Sequence, residues 1–96
     1  MTTEKFDLKE EINKAAEMMD NIIEDRSVPR NIRAAVETAK GKLLNEAEEL
    51  SLRISTAVYD LDDISNDINM PSHARTLLWE LISQLEFIRE TSKEKT

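Results

Sequence analysis

The 96-residue chain has no cysteine, one glycine, two prolines, one histidine and only four aromatic side chains. Without cysteine there is no disulfide, no thiol nucleophile, no iron–sulfur ligation and no ordinary zinc finger. One glycine rules out glycine-rich phosphate loops and argues against turn-rich β architectures. No run of 18 apolar residues occurs, so no membrane span is expected. The order Met1-Thr2-Thr3-Glu4-Lys5 is not the basic-then-apolar order of a secretory leader, and a cytoplasmic location is expected.

What is present fits one domain, residues 1–96, with one modest core. The net charge is −7. Such a chain is repelled by nucleic acid and by anionic membranes unless its basic residues are segregated.

Hydrophobic spacing is helical throughout. Leu8, Ile12, Ala15, Met19 and Ile22 form one stripe, with Glu10, Glu17 and Glu24 mostly off it. The same steps of three and four recur from Val28 to Leu43, from Ala47 to Ile64 and from Ala74 to Ile88. Pro29 and Pro71 suit the first turn of a helix, where a missing N–H costs nothing. Asn45-Glu46-Ala47-Glu48 reads as a capping-box variant that starts a helix. These signals predict helices over about 5–25, 28–44, 46–66 and 71–91, with 92–96 fraying.

Displaced by 42 residues, the sequence matches itself without a gap. Leu8 meets Leu50, Ile12 meets Ile54, Asp25 meets Asp67, Pro29 meets Pro71 and Arg33 meets Arg75. The expected fold is all-α: a four-helix domain made of two duplicated HEAT-like helical hairpins, about 5–44 and 46–91. Two units are too few for a solenoid, so the hairpins should close into a compact bundle.

Two stretches go further. Ser27-Val28-Pro29-Arg30-Asn31-Ile32-Arg33, and Ile64-Ser65-Asn66-Asp67 running on to Met70-Pro71-Ser72-His73-Ala74-Arg75-Thr76, resemble the signature stretches of an uncharacterised archaeal family of short, acidic, all-helical proteins. The resemblance runs from about residue 8 to 90. It implies a helical fold and an archaeal cytoplasmic setting, and supplies no catalytic residues. The family often has Pro where this chain has Ile68, which implies a less rigid loop here.

Charge is unevenly laid out. Residues 26–45 carry net +4, between residues 1–25 at −5 and 46–67 at −6. Arg26, Arg30, Arg33 and Lys40 lie close to one helical stripe. One reading pairs them with acids on the neighbouring helices. The other is an anion or RNA site, with Arg26 and Arg30 flanking a helix N-terminus. Missing interleaved aromatics and acidic neighbours weigh against nucleic acid.

The repeated Asp25, Pro29, Arg33 and Asp67, Pro71, Arg75 sets should cluster at one end of an up-down-up-down chain. A device present twice reads as architectural, each Arg tying a turn through a carboxylate and open carbonyls. The functional reading is a shared polar site, with Arg30 and His73 as its unrepeated members. His73 sits in a first helical turn, where the dipole disfavours its protonated form. Asp67 and Asp63 are its nearest acids in sequence, a weak basis for a metal site. Asp60, Asp62, Asp63 and Asp67 lack the spacing of a calcium loop. They crowd a helix C-terminus, which suggests pairing with Arg75 or helix 2. Neither metal nor cofactor is expected.

Leu52, Tyr59 and Trp79 fall off the main stripes. They either widen the core or form an exposed face for self-association. No residue set meets nucleophile–base–oxyanion logic. The leading expectation is a non-enzymatic protein-interaction module that binds another protein, of identity left open, through a helix face and also self-associates as a homodimer. The alternative is an RNA- or phosphate-ligand-binding module that uses the basic stripe.

Overall fold

The computed structural model describes residues 6–94. It contains α1 (Leu8–Ile23), α2 (Arg30–Leu43), α3 (Leu50–Ile64) and α4 (Ser72–Glu94), with no strand among the described residues. Asp7 caps α1 by accepting the Glu10 N–H at 3.3 Å. Glu10 and Glu11 complement the positive end of the dipole in that first turn. Lys40 and Lys42 complement the negative end of α2.

Each helix packs on its chain neighbours, and α4 packs on α1, which closes the four into a ring around one core. The apolar steps of three and four point inward as their spacing predicts. Met19 and Ile22, Ile32 and Val36, Ile54 and Leu61, and Leu81 and Leu85 are fully buried, two from each helix. A buried alanine in each helix (Ala15, Ala39, Ala57, Ala74) lets the neighbours approach closely. The buried set contains no aromatic ring.

Helix boundaries differ from the spacing-based expectation at the connectors. Pro29 and Pro71 stand one residue before α2 and α4 rather than within them. Helix α3 begins at Leu50, not 46, so Asn45-Glu46-Ala47-Glu48 is not a capping box. The Asn45 side chain bends back to accept the Ala47 N–H at 3.1 Å, a local turn that competes with helix. Helix α4 continues to Glu94 because no Gly or Pro stops it after Pro71. Residues 92–94 of the expected frayed tail are therefore helical, while residues 1–5 and 95–96 lie outside the described residues.

Candidate functional site: the polar connector end

The three connectors share one design. Asp25, Asn45 and Asp67 each accept the N–H two residues on through a side-chain oxygen, at 2.9, 3.1 and 2.8 Å. Each also accepts the N–H three residues on through its carbonyl, at 3.1 to 3.2 Å. These are Asx turns, which satisfy backbone groups that leave the helix. Eight residues after each Asx comes an arginine. Arg33 Nε donates to the Val28 carbonyl at 3.0 Å, and Arg53 Nε to the Leu43 carbonyl at 2.9 Å. Arg75 donates to the carbonyls of Ser65 and, at 3.1 Å, Asp67. The arginines therefore brace backbone carbonyls. The expected tie from Arg33 and Arg75 to the Asp25 and Asp67 carboxylates does not form, because the carboxylates cap N–H groups and reach across the bundle instead.

The α1–α2 and α3–α4 connectors meet at one end. His73 Nε2 lies 2.7 Å from Asp25 Oδ2 and 3.3 Å from Ser27 Oγ. Asn31 Nδ2 donates to Asp67 Oδ2 at 3.3 Å. Ser27 donates its hydroxyl to Asp25 Oδ1 at 2.7 Å. The Ser27 hydroxyl above all, then His73 and the Ser27 N–H, lower the Asp25 carboxyl to about 2. His73 thus pairs with an acid of the other hairpin, not with Asp67 or Asp63. Among the described residues, no three His, Asp or Glu side chains gather as a metal site.

The basic stripe divides. Lys40 pairs with Asp20 at 2.6 Å, and Arg33 is spent on its own connector. The Arg26 and Arg30 side chains are exposed and make no ion pair or hydrogen bond with a described residue. Lys42, outside the stripe, pairs with Asp60 at 2.7 Å. The α3 acids therefore reach α2 through Asp60, whereas Arg75 takes none of them.

Leu52, Tyr59 and Trp79 lie on the surface, 46%, 74% and 57% exposed, and do not widen the core. Ile68, at the tip of the α3–α4 connector, is 90% exposed. Phe87 meets Phe6 edge to face, with ring centroids 6.0 Å apart. At the opposite end, a shallow groove of about 250 Å³ runs between Leu8, Ile12, Leu44 and Leu50. Sequence patterns single out neither the Asn31 bridge nor the Arg53 brace, and Asn45 reads as a helix cap rather than an Asx turn. The offset of eight from Asx to Arg was the available signal for the last two.

A closed ring of four helices with braced connectors defines a small all-helical bundle protein. Residues 1–88 match the model of an uncharacterised protein family, UPF0147, and the chain belongs to that family. It is 52% identical over 81 residues to a UPF0147 protein of Methanothermobacter thermautotrophicus, covering 84% of this chain and 79% of that one. With a UPF0147 protein of Methanocaldococcus jannaschii the identity is 54% over 81 residues, covering 83% and 87%. A crystal structure of a protein of unknown function superposes with a TM-score of 0.84 at 46% identity, over 88% of this chain and 96% of that one. A UPF0147 crystal structure from Thermoplasma acidophilum gives 0.79 at 38% identity, over 83% and 94%. The relatives are archaeal, as the two signature stretches imply. No helix among the described residues is long and apolar enough to cross a membrane.

Proposed function

We propose that this chain is a non-enzymatic interaction module that associates with a second copy through the outward faces of α3 and α4. The observation that carries the reading is the exposure of Leu52, Tyr59 and Trp79 on those helices. Tyrosine and tryptophan are the residues that most often anchor protein interfaces. The polar end supports a non-enzymatic role. Ser27 donates to Asp25, and a carboxylate titrating at about 2 is a weak general base. A HEAT-like origin of the two hairpins belongs to the same reading and is supported by the 42-residue self-match. So does a cytoplasmic setting, with which a cysteine-free chain is compatible. Sedimentation at roughly tens of micromolar, an ordinary affinity range for modest interfaces, tests the association. Two chain masses, falling to one in Trp79→Glu, support it. One chain mass for the wild type removes it.

A second reading rests on Arg26 and Arg30. Among the described residues both guanidiniums are without a partner, beside the start of α2, whose N-cap, Pro29, offers no side-chain hydrogen bond. They suit an RNA backbone or a phosphorylated ligand. Arg33 and Lys40 drop out of this site because each has a partner within the bundle. Salt-sensitive retention on RNA that disappears in Arg30→Glu supports this reading, and no retention at low salt rejects it.

A further inference from the structure

Asn31 and His73 are 42 residues apart and hold the same place in the two hairpins. Each crosses to the Asx carboxylate of the other hairpin: Asn31 to Asp67 at 3.3 Å and His73 to Asp25 at 2.7 Å. The two bridges are copies in position but not in chemistry. An amide does not titrate, whereas an imidazole does near neutrality.

We propose that this end of the bundle is a proton-sensitive latch. Protonating His73 turns its hydrogen bond to Asp25 into an ion pair and tightens the join between the α1–α2 and α3–α4 connectors. The Asn31–Asp67 bridge holds the same end whether or not the ring is charged.

The surroundings favour Asp25 as the controlling partner. Among the described residues, it is the one charged group that pairs with the ring. Asp67, on the adjoining connector, is occupied by Asn31 and the Asn69 N–H. Arg75, on α4 itself, is directed at the carbonyls of Ser65 and Asp67. Asp20 of α1 is held by Lys40. Asp62 and Asp63 of α3, Arg26 of the first connector and Arg30 of α2 make no ion pair with the ring. The α4 dipole opposes a cation in its first turn. Against it stands a carboxylate at contact distance, ionised throughout the working range because Ser27 and His73 hold it low. The sign follows: the latch is tighter with the ring protonated and slacker with it neutral, so acid closes it and base loosens it.

Amide hydrogen exchange at Val28 and Met70 reads the join, because these N–H groups close the two connectors on Asp25 and Asp67. Corrected for intrinsic rates, their opening in the wild type is expected to be roughly two- to fivefold smaller at about pH 6 than at about pH 8, the scale of an exposed ion pair. Asp25→Asn removes the charge while keeping the turn, as Asn45 does at the middle connector. His73→Asn copies the Asn31 arrangement. Both variants should lose the pH difference. Equal wild-type opening at the two pH values overturns the latch even if a variant fails to fold. So does a folded variant that keeps the full difference.

Discussion

Arg53 donates through Nε to the Leu43 carbonyl at 2.9 Å and ties the first turn of α3 to the last turn of α2. It does at the middle connector what Arg33 and Arg75 do at the outer two. The bundle is therefore braced at every change of direction, by one side chain per connector.

Removing that brace should be costly for a half-buried surface residue. Arg53→Ala is expected to lose about 1.5–3 kcal/mol, the usual worth of a hydrogen bond from a charged donor. Arg53→Lys should recover only part, since a lysine cannot reproduce the planar fork. Urea unfolding midpoints decide this. A change below about 0.5 kcal/mol, the level of an indifferent surface site, would show that the brace is ornamental.

Asp25 offers a titration. Its folded carboxyl lies at about 2 against an ordinary 3.8, with the Ser27 hydroxyl as the largest cause. The stability it contributes is fully present above the ordinary value and is lost as pH falls through the folded one. Carboxyl NMR should place its midpoint near the folded value in the wild type and nearer the ordinary value in Ser27→Ala. An unmoved midpoint in that variant contradicts the assignment to the hydroxyl.

Lys40 and Asp20 form a part-exposed pair at 2.6 Å. A double-mutant cycle should return a coupling of about 0.2–1 kcal/mol, shrinking in molar salt. Coupling that ignores salt would mean the pair is shielded more than its exposure indicates.

Gly41 lies in the last turns of α2, with open space where a Cβ would go. Gly41→Ala should stabilise the protein by about 0.5–1 kcal/mol through helix propensity and a less flexible unfolded chain. Thermal unfolding should shift upward by a few degrees, and a downward shift would point to a contact at that site.

The helices were legible because their apolar steps are regular and their charged residues fall between them. The meeting of the Asp25 and Asp67 connectors followed from the order of four short-linked helices. Three things were not legible. The middle connector hid its kinship because Glu49 stands where the others have proline, and Asn45 with Glu48 imitates a capping box. Arg33 and Arg75 do reach open carbonyls, but not the Asp25 and Asp67 carboxylates, which are taken by N–H groups and by side chains of the other hairpin that no local pattern reveals. The acids nearest His73 along the chain are Asp67 and Asp63, whereas its partner Asp25 is 48 residues away and meets it only when the ring of helices closes.

The aliphatic interior has a spectroscopic consequence. The indole and the phenol both face solvent, so intrinsic emission comes from the skin of the molecule rather than its heart. In the unassociated chain, native fluorescence should already sit toward the red, and heating should shift it little while far-ultraviolet circular dichroism collapses. The same indole would move to the blue once something covered it. In this fold the natural chromophore is nearly blind to melting and alert to touch.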